Sequence, residues 1–299
     1  MSILVVGSIA YDTVETPFRS VKDSPGGSAL YFSMAASFFS AVNVVGVVGT
    51  DFDLQKIQFK RPCPISFDGL DVREGKTFRW GGRYYEDPNQ RDTLFTQLHV
   101  FEDFKPLIPA HYRKSKIVFL ANINPELQLQ VLEQIEKPEL VVLDTMNFWI
   151  SGKRAALDKV IRHTQIIILN DQEIRQLTGT ANLIAGGQKI LEKGPRVVVI
   201  KKGEHGAIMM QKQSVFLAPA YPVNNVVDPT GAGDSFAGGF VGYLARQGVF
   251  DESEIRKAMI YGTVIASFNV EDFSFNRLVN LTEADLQRRY EDIKKMMQF

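Results

Sequence analysis

Short, nearly continuous apolar runs limit what this chain can fold into more than any other feature: Ile3 to Val6, Val42 to Val48, Ile117 to Leu120, Leu140 to Leu143, Ile166 to Leu169 and Val197 to Ile200. A strand that is apolar on both faces needs cover on both, which is the situation of parallel strands in an α/β sheet. Longer stretches with helical spacing separate the runs. After Pro125, Leu127, Val131, Leu132 and Ile135 fall at helical spacing. After the acidic start Asp251-Glu252-Ser253-Glu254, Ala258, Tyr261, Gly262, Ile265 and Ala266 make a small-residue face. The alternation predicts an α/β fold with a central, mostly parallel sheet between two helical layers. At 299 residues, 45% of them hydrophobic, the chain can bury a large core, and a single domain over residues 1–299 is expected.

The rhythm breaks between about Pro62 and His99. Lys76-Thr77-Phe78-Arg79-Trp80, Gly81-Gly82, Arg83-Tyr84-Tyr85 and the run Arg91 to Leu98 read as antiparallel strands, with Gly-Gly either a hairpin turn or a strand bulge. Asp12 to Phe18 reads as one more strand of this kind. Together these segments predict a small β lid, formed by about residues 12–20 and 62–99 and hinged to the large domain at several crossings. No internal repeat or low-complexity tract interrupts the pattern.

Lysine plus arginine equals aspartate plus glutamate at 34 each, so no net field favours nucleic acid or an anionic membrane, and neither is expected as a partner. Small-molecule chemistry is the expectation. Cys63 is the single cysteine, and His99, His111, His163 and His205 are scattered, which excludes an intramolecular disulfide and offers no zinc-type cluster. Met1 leads directly into Ile3-Leu4-Val5-Val6, and no stretch approaches the roughly 18 apolar residues of a membrane span. A cytoplasmic, unanchored protein is expected.

Chemistry is concentrated in Asp228-Pro229-Thr230-Gly231-Ala232-Gly233-Asp234-Ser235-Phe236-Ala237-Gly238-Gly239-Phe240. Small residues at 231 to 233 let the backbone approach a ligand closely, and the helix that follows aims its free N–H groups at whatever sits there. Asp234 beside such an anion hole is placed to take a proton from an attacking hydroxyl. An ordinary turn with a first-turn acid would use the same residues. A dinucleotide fingerprint is excluded, because Phe236 stands where the third glycine belongs and the first βα turn, Val6-Gly7-Ser8-Ile9, carries no such motif.

The full string closely resembles the C-terminal signature of the ribokinase-like (PfkB) family of carbohydrate and nucleoside kinases, and the resemblance extends over essentially the whole chain. It implies the three-layer ribokinase-like fold with its small β lid, ATP and Mg²⁺ as cofactors, Asp234 as catalytic base and Gly231, Ala232 and Gly233 as the anion hole. Gly7-Ser8-Ile9-Ala10-Tyr11-Asp12 resembles the family's opening strand, so Asp12 is expected to hold two neighbouring sugar hydroxyls. Pro25-Gly26-Gly27-Ser28-Ala29 resembles the first signature, placing Gly26 and Gly27 at the acceptor. Sugar kinases commonly carry an asparagine in the next helix, where this chain has Leu30-Tyr31-Phe32, and Tyr31 takes its place among the expected acceptor contacts. Asn170-Asp171-Gln172-Glu173 matches the Asn-x-x-Glu element, which implies Asn170 near the nucleotide and Glu173 on magnesium, usually through water; it is equally a capping box. Lys201-Lys202-Gly203-Glu204-His205-Gly206 matches the nucleotide-side turn, implicating Lys201, Gly203 and Gly206, with the base between this turn, Pro222 to Val227 and Ile265 to Asn269. Asp228 either borders a monovalent-cation site, K⁺ in this reading, or fixes the turn before Pro229.

The acceptor stays open between a ribonucleoside and a free sugar, with the lean to the nucleoside resting on the lid. Phe78, Trp80, Tyr84 and Tyr85 with Arg79 and Arg83 either stack a nucleobase or form one packed face, for instance in a homodimer; the chain is a monomer or a dimer through the lid. Trp80 is the expected stacking residue, and Asn122 in the turn Asn122-Ile123-Asn124-Pro125 is expected to face the acceptor. Arg79, Arg83 and Arg91 keep a phosphosugar acceptor in view. A non-catalytic binding protein would have no use for Asp234, the small-residue hole and Glu173 together.

Overall fold

The computed structural model describes residues 1–57 and 61–298. Its strands in chain order are β1 (Ile3–Val6), β2 (Ala10–Glu15), β3 (Ser20–Gly26), β4 (Val42–Gly49), β5 (Ile65–Arg73), β6 (Phe78–Tyr84), β7 (Arg91–Gln97), β8 (Ile117–Leu120), β9 (Leu140–Asp144), β10 (Ile166–Asn170), β11 (Val197–Lys201), β12 (Ala207–Met210) and β13 (Val215–Ala218). The helices are α1 (Ser28–Ala36), α2 (Pro125–Gln134), α3 (Asn147–Gly152), α4 (Arg154–Arg162), α5 (Asp171–Thr178), α6 (Leu183–Leu191), α7 (Ala232–Gln247), α8 (Glu252–Asn269), α9 (Asn276–Val279) and α10 (Glu283–Met296).

The large sheet runs β13-β12-β11-β10-β9-β8-β1-β4-β5, parallel throughout except at the β11-β12-β13 edge. Alternate residues of the same strand feed two different cores. Ile3 and Val5 pack with α1, α7 and α8, while Leu4 and Val6 pack with α2, α4, α5 and α6. The continuous apolar runs are thus explained by burial on both faces. From β1 the large sheet is extended one way by β4 and β5 and the other way by β8 to β11, so its order switches at β1 and β8. Loops leaving the carboxyl ends of these strands converge there, where open α/β sheets bind ligands.

The cover is a four-stranded sheet in the order β3-β2-β6-β7. It differs from the sequence expectation in two places. Ile65–Arg73, expected in the lid, is instead the edge strand of the large sheet, parallel to β4. Ser20–Gly26 supplies a strand of the cover that carries no apolar signal, being largely exposed and polar. Gly81-Gly82 resolves as a bulge: β6 continues through the pair while its register with β7 shifts there. Among the described residues no helix is long and apolar enough to cross a membrane.

Candidate active site

The turn into α7 is held from several sides. Asp228 accepts the Thr230 amide on Oδ1 at 2.8 Å and the Ser274 amide on Oδ2 at 3.4 Å, so both carboxylate oxygens fix the backbone. Gly231 is left-handed (φ 75°) and the Tyr31 ring fills the space a side chain there would need. Ala232 donates to the Pro229 carbonyl and Ser235 to that of Gly231, and the amides of Gly233 and Asp234 between them have no acceptor among the described residues. This is the anion-binding geometry of a helix N-terminus. Asn269 braces it: its amide nitrogen donates to the Thr230 carbonyl at 2.9 Å and its oxygen accepts the Ser235 hydroxyl at 2.9 Å. Expected at the nucleotide, Asn269 is instead fully buried with both ends of its amide spent inside the chain.

Four charged side chains meet at this turn, Asp144 and Glu173 buried and Lys201 and Asp234 partly so. Lys201, the last residue of β11, brings its ammonium to Gly233, where an added Cβ would lie 2.8 Å from Nζ. Asp144, the last residue of β9, places Oδ1 at 3.7 Å from the same ammonium. Glu173 caps its own helix, with Oε2 accepting the Asn170 amide at 2.7 Å while Asn170 Oδ1 accepts the Glu173 amide at 2.8 Å. Burial, then the Asp144 charge, push the Asp234 carboxyl up to about 7 against the pull of Lys201. Burial likewise pushes Glu173 up to about 7, opposed first by Lys201. The Lys201 ammonium is held above its usual range by Asp144, Glu173 and Asp234, which outweigh its own desolvation. Asp144 is raised as well, by burial, with Lys201 opposing.

On the other side of the turn stands Asp12, buried, with Oδ2 accepting the Tyr31 hydroxyl at 3.3 Å. Desolvation and then the Asp228 charge raise it to about 7. Gly26 is a necessity of close approach, because a Cβ there would overlap the Asp12 carboxylate, and one at Gly27 (φ 93°) would lie 2.6 Å from the Ser8 carbonyl. Ser8 and Ser28 lock this loop reciprocally, each amide donating to the other's hydroxyl at 3.2 and 3.1 Å. Trp80 is the register partner of Asp12 in the parallel β2–β6 pair, so the indole and the carboxylate share one face of the cover. Asn122 accepts the Trp149 indole N–H at 2.9 Å.

The other cover residues divide. Phe78 stacks on Phe101 at the base, Tyr85 is exposed and bonded to Asp92, Arg79 pairs with Asp23 and Asp51, and Arg83 pairs with Glu15. Arg91 lies over Trp80, 5.1 Å from the ring centroid. Arg79 and Arg83 are thus engaged by acids away from Asp12, while Arg91 is close enough for its charge to pull the Asp12 carboxyl down. Tyr84 is buried and bonded to Thr230, hydroxyl to hydroxyl at 3.2 Å, so the cover reaches the turn before α7. Its hairpin tip reaches further: Asn89 Nδ2 donates to Glu204 Oε2 at 2.8 Å, and Asn89 Oδ1 lies 2.6 Å from the position of a Cβ on Gly203. Gly206 (φ 77°) is required by the Ala218 carbonyl beside it. Beyond this turn a cleft of about 410 Å³ is lined by Tyr221 to Asn225, Glu271 and Arg289.

The arrangement sets the Asp234 carboxyl and the Lys201 ammonium, both partly buried, against a small-residue turn, with the Asp12 carboxylate under an aromatic cover. It suits transfer of a charged group to a hydroxyl. Sequence reading passed over Asp144 and Asn89, and placed Tyr84 in the cover without its contact to the turn before α7. Asp144 ends an apolar run with no motif around it, though a carboxylate closing a strand at the sheet's carboxyl edge is itself a signal; the other two act through partners distant in the chain.

Comparison with known proteins agrees with this geometry. Residues 85–278 match the pfkB family carbohydrate kinases. The chain is 31% identical to a nucleoside kinase of Methanothermobacter thermautotrophicus, over 90% of this chain and 89% of the relative. It is 28% identical to a cytidine kinase of Thermococcus kodakarensis, over 82% and 89%. Its fold is similar to that of the nucleoside kinase of Methanocaldococcus jannaschii, described as an archaeal member of the ribokinase family, with a TM-score of 0.76 at 22% identity over 97% of this chain and 98% of that one. The chain, with its Asp234 turn and discontinuous β cover, belongs to the pfkB family of carbohydrate kinases.

Proposed function

We propose that this protein transfers the γ-phosphoryl group of ATP to the primary hydroxyl of a ribonucleoside. The observation that carries the reading is the half-buried Asp234 beside the Gly231–Gly233 turn, with the Lys201 ammonium on one side and the buried Asp12 on the other. Asp12, through two acceptor oxygens, holds neighbouring ribose hydroxyls; Gly26, Gly27 and Tyr31 shape the floor beneath them. Asp234 takes the proton of the attacking hydroxyl. The amides of Gly233 and Asp234 and the Lys201 ammonium oppose the charge developing on the transferred oxygens. Magnesium, when bound, neutralises phosphate charge. The chain's donors fit it: Glu173 is buried at the turn and only Oε2 is engaged by the Asn170 amide, which suits an ion that keeps much of its own water. Asp228 is assigned to the turn rather than to potassium, because turn and loop amides occupy both its oxygens. The adenine base is assigned to the cleft beside Tyr221 to Asn225, which lies beyond the Gly203–Gly206 turn.

The nucleoside is favoured over a free sugar by Trp80, which shares a face with Asp12 and offers a base-stacking surface. The cytidine and nucleoside kinases among the relatives support the same choice. A phosphosugar is disfavoured by the engagement of Arg79 and Arg83 with acids elsewhere. The test is magnesium- and ATP-dependent ADP release across ribonucleosides, free pentoses and hexoses, and phosphosugars, in sodium and in potassium buffers, with Asp234→Asn as blank. Turnover with a ribonucleoside is expected, without dependence on potassium. Turnover confined to a sugar would reassign Trp80 to packing, and stimulation by potassium would return Asp228 to a cation site.

A further inference from the structure

The Lys201 side chain has four torsions that move its charge, yet the ammonium lies over Gly233. Something must hold it there. Lys201 and Asp144 end strands that flank β10 on opposite sides, and their side chains meet across the end of that strand. Among the described residues Asp144 is the one carboxylate within ion-pair distance of the ammonium, at 3.7 Å. It is 6% exposed, and among the described residues its Oδ1 has no hydrogen-bond partner; the neighbouring Thr145 hydroxyl is buried and likewise has none there. A buried carboxylate left with an unbonded oxygen is a poor device for stability. Placed against a mobile cation, it is a good device for position, because it limits the ammonium to one side of the cleft without a tight bond that a phosphate would have to break.

We propose that Asp144 is a positioning residue that fixes the Lys201 ammonium over the Gly231–Gly233 turn before the nucleotide arrives. Rigid placement of a charge ahead of the reaction is what gives electrostatic stabilisation its effect on rate. This rests on the kinase reading given above, so one arm of its test needs no turnover.

The experiment uses the full-length protein with Asp144→Asn, Lys201→Met and the double variant. In the ligand-free protein, amine-reagent labelling of Lys201, followed by peptide mass analysis, is expected to be faster in Asp144→Asn, since the ammonium has lost its nearest anion. Unchanged labelling overturns the proposal whether or not an acceptor is known. With an acceptor in hand, Asp144→Asn is expected to lower kcat about ten-fold or more, while ADP affinity by calorimetry stays within about three-fold. In the Lys201→Met background the same change is expected to cost about two-fold at most. The proposal falls if the two losses multiply, if kcat is unchanged, or if melting temperature and ADP affinity decline together with kcat, which would mark a merely structural carboxylate.

Discussion

The pH response expected of Asp234 follows from its desolvation. An aspartate in water is ionised far below neutrality and is a weak base; desolvation and the Asp144 charge lift this one to about 7. Because the ionised form is the base, activity is present above the folded-state pKa and lost below it. The acid limb of kcat/KM is therefore expected near pH 7 rather than near 4, with a fall of about ten-fold per unit beneath it. Asp234→Asn is expected to reduce kcat by roughly 10²- to 10⁴-fold while leaving ADP bound. Steady-state rates between pH 5 and 9 check both, and an acid limb near 4, or a variant within a factor of two of wild type, defeats the assignment. Linkage runs the other way for stability. A raised carboxyl pKa means the folded chain binds more protons than the unfolded one between about pH 4 and 7, so this group's contribution is complete below its unfolded pKa and is lost as pH climbs through 7. The same Asp234→Asn protein should thus melt above wild type at pH 8, by a margin that shrinks towards pH 5.

The turn before α7 depends on glycine in a specific way. Gly231→Ala adds a Cβ at φ 75°, costing about 1–2 kcal/mol in backbone conformation, and drives it into the Tyr31 ring, costing about 1–3 kcal/mol more. Tyr31 also donates to Asp12, so the damage should reach both sides of the site: a lower melting temperature, lower kcat and weaker acceptor binding, measured by calorimetry with an inert acceptor analogue. A melting curve and acceptor affinity equal to wild type would show that the turn has slack the geometry denies. How far these pieces were legible beforehand follows from their packing. The strands buried on both faces announced themselves, and the Gly231–Asp234 string marked a tight turn into a helix, because close backbone approach admits few side chains. Ile65–Arg73 was misplaced because an edge strand is covered on one side only and mixes polar with apolar residues like a lid strand. Ser20–Gly26 was missed because its outward residues are charged. Asn269 was assigned by position along the chain, which says nothing about whether an amide is spent internally.

Contacts between distant segments organise the molecule, and these the sequence could not reveal: Tyr84 and Thr230 are 146 residues apart, and Asn89 and Glu204 are 115 apart. Through them one hairpin of the cover touches the turn before α7 and the turn Gly203–His205 together. A cover of this reach does more than roof the acceptor. Stopped-flow displacement should show ADP and the phosphorylated product departing with a common rate constant, and independent departures would contradict it. A hairpin tied to both turns links the two ends of the site, so its opening is expected to free both halves of the reaction through one exit.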